Sequence, residues 1–339
     1  MGLLRLLPRP GRHEDDSIDE PELDLVTEPE LERAAPAGGD AALDAEVPVD
    51  VDAATGHTGP ALRPAPTLTP AAAIPGASAT RVIALANQKG GVAKTTTTLN
   101  LGVALHELGH RVLLIDLDPQ GNLTMSQGMN PDVIEKSMFD VLVHRIPISD
   151  VIMHVEVDLA VASIDLAGAE LALSSLIGRE RALEKALLEV RDNYDYVLID
   201  TPPSLGLLTI NAFVAATGVI VPVQCEYLSL RGLVQLENTL AMVRENLNQR
   251  VGVEGIVATM YDGRTLHARE AIEILEENFG ELLCRTRIRK TVRYAEAPVK
   301  GSSVLKYDPS GPAAEAYREL AREFVAKEVS HGAQAREHA

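Results

Sequence analysis

At 339 residues, 46% of them hydrophobic, the chain has ample material for a buried core, and its formal net charge of −18 excludes a surface that is basic throughout. Two cysteines, Cys225 and Cys284, show no CxxC or Cys/His spacing, which argues against a disulfide framework or a zinc or iron–sulfur site and fits buried thiols in a reducing cytoplasm. No apolar run approaches the roughly 18 residues of a membrane-crossing helix. Residues 1–80 carry 5 of the 31 Lys and Arg but 15 of the 49 Asp and Glu, with 11 of the 20 prolines. Such a segment buries too little apolar surface to offset the entropy of ordering, so a disordered acidic arm is expected, with at most a few helical turns around 28–35. Its start, "MGLLRLLPRPG", is broken by Pro8 and Pro10 before a signal core forms, and Leu6 stands where a myristoylation pattern wants Ser or Thr.

From Arg81 the pattern changes. Short β-branched runs, "RVIALA", "RVLLID", "DLAVAS", "YVLID", "GVIVPV" and "VEGIVATM", alternate with helical patterns at 95–108, 168–190, 205–216 and 229–247. Strands apolar on both faces and separated by helices predict an α/β fold: a doubly wound, mostly parallel sheet with helices on both faces. Residues 81–329 make one such domain, ending in a helix "PAAEAYRELAREFVAKEV", and 330–339 are expected to fray.

In such sheets ligands lie beyond the carboxyl ends of the strands, and "NQKGGVAKTTTT" sits at one of those ends. Gly90 and Gly91 let backbone N–H groups approach phosphate oxygens, and the next helix presents its positive end. Lys94 supplies charge to the terminal phosphates and Thr95 a hydroxyl for Mg²⁺. "LLIDLDPQGN" puts Asp116 and Asp118 on one side of an extended segment. "YVLIDTPPS" ends a strand with Asp200, where a metal-bound water is held. Three carboxylates converging beside a lysine-rich loop repel one another unless a cation lies among them, and Mg²⁺ with a triphosphate resolves that conflict. A lone strand-end Asp is more often a helix cap; three of them reverse the odds.

The loop matches the deviant Walker A pattern KGGxxKT. "DLDPQGN", "LAGAELAL", "NYDYVLIDTPPSLGLLTINA", "VPVQCEYLSLRGL" and "VRYAEAP…YDPSG" follow in order. Together they resemble the ParA/Soj branch of chromosome and plasmid partition ATPases over residues 81–329. The resemblance implies a P-loop ATPase that binds ATP and Mg²⁺ and hydrolyses ATP slowly, stimulated by a ParB-like centromere-binding protein. It implies an ATP-dependent homodimer in which Lys89 reaches the partner's nucleotide, which accounts for two lysines on one small loop. It further implies that Lys89, Gly90, Gly91, Val92, Ala93, Lys94, Thr95 and Thr96 surround the phosphates. Asp118 orients or activates the attacking water, and Asp116 and Asp200 support Mg²⁺ with Thr95, partly through water. Asn211 and Pro222 fall where the family holds adenine. Ala93 departs from the glycine most members have, so crowding or stiffening of the loop is expected there.

Between 283 and 306, Arg285, Arg287, Arg289, Lys290, Arg293, Lys300 and Lys306 stand against Glu296 alone. The alternation places three guanidinium groups on one face of a strand. A solvated edge that discourages aggregation is the plain reading. The resemblance implies instead non-specific DNA binding through phosphates, hence a cytoplasmic, nucleoid-associated protein that does not attach to membranes. Three alternatives stay open: a MinD-like positioning switch, weakened by a C-terminal helix without a basic apolar face; an iron–sulfur carrier, weakened by the missing CxxC; and a scaffold that binds ATP but scarcely hydrolyses it, which Ala93 keeps alive.

Overall fold

A computed structural model describes residues 66–71, 80–225 and 230–337. Along them run β1 (Arg81–Leu85), α1 (Lys94–Glu107), β2 (Val112–Asp116), α2 (Asn122–Met125), α3 (Met138–Val143), β3 (Ile152–His154), β4 (Asp158–Ala160), α4 (Ala169–Ser174), α5 (Ala182–Leu187), β5 (Tyr196–Asp200), α6 (Leu207–Ala215), β6 (Gly218–Gln224), α7 (Leu230–Asn246), β7 (Val253–Tyr261), α8 (Leu266–Phe279), β8 (Leu283–Arg289), α9 (Arg293–Val299), α10 (Val304–Tyr307) and α11 (Pro312–Glu337). The strands form one sheet in the order β3-β4-β2-β5-β1-β6-β7-β8. Every neighbouring pair is parallel except β3 and β4, an antiparallel edge.

The expected doubly wound architecture is present, and β1 shows why its strands read as continuous apolar runs. Val82 and Ala84 enter one core with α3–α8, while Ile83 and Leu85 enter the other with α1 and α11. Both faces are therefore dry. Helix α1 lies so close to the sheet that a Cβ at Gly102 would come within 2.5 Å of Leu114 Cδ2, so any larger residue there forces the Leu114 side chain to shift.

The structure departs from expectation in four places. The helix predicted over 168–190 is two short helices, α4 and α5, because Gly178 turns left-handed (φ 71°) and the Ser174 hydroxyl donates back to the Leu171 carbonyl. The strand β3, the short helices α2, α3, α9 and α10, and the helix α8, whose N-cap Thr265 accepts from Ala268 N–H, were not foreseen. Helix α11 runs to Glu337, past the expected fraying point at 330. The boundary of the acidic arm also moves. Leu68 is buried in the core, Thr69 C=O accepts from Val253 N–H at 2.9 Å, and Ala71 N–H donates to Val253 C=O at 3.1 Å. Residues 66–71 thus dock on the start of β7, and the rest of the arm, 1–65 and 72–79, lies outside the described residues.

Candidate nucleotide site

The loop between β1 and α1 is built from its first residue. Asn87 Nδ2 donates to the Pro222 carbonyl at 2.8 Å, and Asn87 Oδ1 accepts from Lys89 N–H at 3.0 Å, so one amide pins the loop to β6 and starts its turn. Val92 is buried and its carbonyl accepts from the Thr259 hydroxyl at 3.1 Å, tying the loop's far side to β7. Gly91 (φ 72°) is left-handed, and so is Ala93 (φ 66°, ψ 34°). For alanine that region costs about 1–2 kcal/mol. The strain lies at the residue that caps α1, whose first turn carries no acidic side chain and is open to an anion.

Lys94 is buried, and its Nζ donates to the Asn87 carbonyl at 3.2 Å and toward the Lys89 carbonyl at 3.5 Å. Burial pulls its pKa down while the Asp200 and Asp118 carboxylates work to raise it. The Thr95 hydroxyl donates to Asp200 Oδ2 at 2.6 Å. Asp116 and Asp200 end neighbouring strands in register, both fully buried. Burial pushes Asp116 up to about 6, although the Thr124 hydroxyl and N–H at 2.7 and 2.8 Å hold its charge. Asp200 is driven well above the carboxylate range by burial, and Asp116 beside it adds to that rise. Asp118, also raised by burial, accepts from Gln120 N–H at 3.0 Å.

The expected convergence needs one refinement. Among the described residues no three acidic, His or Cys side chains form a metal cluster by themselves. Two buried carboxylates with elevated pKa, a threonine hydroxyl already on one of them and a buried lysine suit a magnesium–phosphate group, whose oxygens would complete the shell. A cleft of about 610 Å³ opens beside Lys94 and Thr95, while Asp116, Asp200 and Val92 are buried outside its lining. Gly90, Gly91, Ala93, Lys94, Thr95, Thr96 and Asp118 line it, as do Met260, Ala295, Pro298 and Val299, which bring apolar surface. Lys89 is exposed and stands outside that lining; its Nζ donates to Gln224 Oε1 at 3.0 Å.

Comparison with known proteins decides what this arrangement is. A family model described as an AAA domain matches residues 80–253. The sporulation initiation inhibitor Soj of Bacillus subtilis is 46% identical over 249 residues, 73% of this chain and 98% of its own length. The chromosome partitioning protein ParA of Caulobacter vibrioides is 44% identical over 260 residues, 75% of this chain and 97% of its own. The chain belongs to the ParA/Soj family of ATPases. A solved structure named as cobyrinic acid a,c-diamide synthase of Mycobacterium smegmatis, with bound ATP analogue and magnesium, is 42% identical at a TM-score of 0.64, covering 72% of this chain and 93% of its own. McdA of Cyanothece in complex with ATP, 22% identical at a TM-score of 0.64, shows the fold alone.

Within this ParA/Soj chain the two residues expected at adenine each hold a neighbouring element. Asn211 is fully buried: its Nδ2 donates to the Arg179 and Leu207 carbonyls at 2.9 and 3.0 Å, and its Oδ1 accepts from Leu183 N–H at 3.2 Å. With both donors and one acceptor position committed, Asn211 braces α5 against α6. Pro222 is buried inside β6 and serves the site through its carbonyl, as the anchor of Asn87.

The basic residues are brought together only in part. A groove of about 820 Å³ between β8 and α11 is lined by Arg285, Arg287, Arg289, Lys290 and Arg293, whereas Lys300 and Lys306 are exposed outside it. Asp308, Glu315 and Glu319 line the same groove, so the excess counted along the local sequence shrinks to five bases against three acids. Arg287 pairs with Glu276 and lies over the Tyr261 ring, 6.0 Å from its centre. Arg293 pairs with Glu296 at 2.7 Å and faces Asp308 at 3.6 Å. Arg285 and Arg289 are exposed on the edge strand. The four-residue recurrence of Glu315, Glu319 and Glu323 on α11 was the signal that acids would share a face there. Both cysteines are buried, as expected, and no helix among the described residues is long and apolar enough to cross a membrane.

Proposed function

We propose that this chain is a partition ATPase: it binds ATP with Mg²⁺, pairs with a second copy over the nucleotides, holds DNA without sequence preference and is discharged by a ParB-like partner. The observation that carries the reading is the division of the two loop lysines, Lys94 buried within its own cleft and Lys89 exposed outside it. A cation on the loop yet outside the cleft of its own chain supports the reading that Lys89 serves another chain's phosphates. Thr95, Asp116 and Asp200 would hold the magnesium ion, which supplies charge neutralisation at the terminal phosphates when bound. Lys94 neutralises those phosphates from the loop side. Asp118, in the cleft and acceptor-rich, orients the attacking water. Exposed Arg285 and Arg289 make phosphate contacts with DNA, and with Tyr261 and Tyr294 the only aromatic side chains lining the groove, base stacking contributes little.

The name of the M. smegmatis neighbour offers amide synthesis as a second reading. Releasing ammonia from glutamine through a cysteine needs an accessible thiolate. Cys225 and Cys284 are buried and their thiols pushed up to about 11 by burial, so neither can supply it.

Mixing two inactive variants tests the proposal. Lys89→Ala and Asp118→Ala each abolish turnover alone, but a mixed pair contains one site with its own Asp118 and the other chain's Lys89. Partial recovery of ATP hydrolysis on mixing is expected. No recovery at any ratio places Lys89 in the service of its own nucleotide and removes the face-to-face pair.

A further inference from the structure

β7 starts before its neighbour β8 does. Val253 is the first residue of β7, whereas β8 first pairs with it at Ile256, across from Leu283. On that side Val253, fully buried, has a backbone N–H and C=O with no β8 residue to meet them, and buried backbone groups left unpaired are costly. Residues 66–71, a strap outside the stretch that the family model matches, meet both. Val253 N–H donates to the Thr69 carbonyl at 2.9 Å and Ala71 N–H to the Val253 carbonyl at 3.1 Å, with Pro70 paired in parallel to Val253. The ladder uses Thr69 and Ala71 and passes over Pro70, the residue of the three with no N–H to give. Side chains add to the grip. Leu68 enters the core that holds Leu236, Leu240 and Val253, and the Thr69 hydroxyl donates to Glu237 Oε1 of α7 at 2.9 Å, an oxygen that Arg244 also holds. Gly252 makes the room: a Cβ there would come within 2.5 Å of the Pro70 carbonyl oxygen and 2.6 Å of Ala71 N, backbone atoms that cannot step aside while the ladder stands.

We propose that the start of β7 is a peptide-binding slot, and that residues 66–71 of the same chain are its ligand, held reversibly by strand addition. The slot selects through an open backbone edge, a pocket for one aliphatic side chain, a carboxylate for the hydroxyl of the next residue, and a glycine that leaves space for the ligand's backbone. Extended peptides are recognised in this way, with main-chain bonds giving affinity and side-chain pockets giving choice. The ligand class is therefore an extended aliphatic–Thr–Pro–small segment, and "PTLTPA" at 66–71 is this chain's own copy. One leucine and two ladder bonds make a weak site for a free peptide, but a strap carried on the same chain acts at an effective concentration on the order of a millimolar. The slot is thus filled by its own chain, and a segment of the same class supplied in trans competes only near that concentration. It lies at the amino ends of the parallel strands, opposite the phosphate loop, and stands independently of how the nucleotide site is read.

Hydrogen–deuterium exchange of the full chain, read at the Val253 amide by NMR, tests the slot, because that N–H donates to the strap. In the parent the amide should exchange slowly and at a rate independent of protein concentration. Leu68→Asp, which removes the aliphatic anchor, should speed exchange at least about 10-fold, the lower end for exposing a buried leucine. Thr69→Val, which removes only the bond to Glu237, should speed it roughly 3- to 10-fold. A synthetic peptide of residues 64–73, added to the Leu68→Asp chain at about 1 mM to match the strap's own effective concentration, should restore slow exchange, and the same peptide carrying Leu68→Asp should not. Gly252→Ala should exchange fast with or without the peptide. Parental exchange rates in Leu68→Asp and Thr69→Val overturn the proposal, as does a Leu68→Asp chain that the peptide fails to slow. Exchange in the parent that quickens on dilution also overturns it, since the strap would then come from a second copy. If the melting curve shows Leu68→Asp to be unfolded, the rise in Thr69→Val and its reversal by the peptide decide in its place.

Discussion

The nucleotide cleft and the basic groove adjoin on the same sheet but handle charge in opposite ways. In the cleft, buried carboxylates and a buried lysine lie together, so burial lifts the acids, with Asp116 brought to about 6 and Asp200 also driven well above the ordinary carboxylate range. At the groove's rim, charges sit in water and pair locally: Asp262 is depressed to about 2 by the Arg264 guanidinium beside it. A buried charge cluster is costly until a ligand completes it, whereas an exposed one costs little and gains little. The cleft is therefore a site that awaits a ligand, and the groove is a surface whose strength depends on salt.

The largest test of that contrast is Asp118→Asn. An acid that positions or accepts a proton from water contributes about 100- to 10,000-fold to rate, so turnover should fall by that order while calorimetry still finds ATP bound. A variant that hydrolyses ATP at the parental rate would remove Asp118 from the reaction and leave the cleft a binding site only.

The pH dependence should differ in sign between the two regions. Asp116 binds its proton more tightly folded than unfolded, so the nucleotide-free chain is spared its cost below about pH 4 and bears it fully above about pH 6. That cost is at most about 3 kcal/mol, from roughly two pKa units at 1.36 kcal/mol each. Thermal unfolding should show stability from this group declining between those values, with the decline reduced in Asp116→Asn and opposed by Mg²⁺ with ATP. Asp262, depressed when folded, acts the other way, its small contribution being lost as pH falls through about 2. An identical pH profile in Asp116→Asn and its parent would mean that Asp116 is hydrated and that the cleft is no drier than the groove.

Much of the cleft was legible in the sequence because its parts are simple: a strand, an eight-residue connection and a helix place Lys94 and Thr95 by connectivity, and the acids stand at the ends of two apolar strands that pair in parallel. What was not legible depended on distant partners. Asn211 occupies the right motif, yet its amide is taken by the Leu207 carbonyl of its own helix, by the distant Arg179 carbonyl and by Leu183 N–H of α5. The acids that meet the basic residues are Glu276 of α8, Asp308 just after α10, and Glu315 and Glu319 of α11, all outside the basic run. Leu68, one leucine in a proline-rich stretch, gives no periodic signal, although the start of β7 receives it. Ala93 was visible as a departure, but its left-handed backbone was not.

A smaller effect is expected on the groove side. Arg285→Gln with Arg289→Gln should leave ATP affinity unchanged and weaken DNA binding uniformly across sequences. The slope of log affinity against log salt should become shallower by about 1 for each arginine. Lys300→Gln with Lys306→Gln, outside the groove lining, is the matched control and should alter the slope less. Equal changes from the two pairs would mean that DNA follows overall charge and that the groove has no special part in holding it.

The smallest expected effect lies at Ala93. Glycine there removes the left-handed penalty of about 1–2 kcal/mol but gives the unfolded chain more freedom, which takes back about 0.4–1 kcal/mol. The difference favours Ala93→Gly by under about 1.5 kcal/mol, a rise in melting temperature of a few degrees at this chain length. The same change frees the loop that holds Asn87, Lys94 and Val92 in place, so nucleotide-free stability and nucleotide affinity need not move together. If the strain is stored to preform the phosphate cradle, the glycine variant melts higher without ligand yet gains less from Mg²⁺ and ATP, because the loop must order on binding. If Ala93 only crowds the phosphates, the variant gains on both measurements. Melting curves with and without nucleotide separate the two, and a variant that melts lower in both would show that the alanine methyl is held by contacts stronger than its strain.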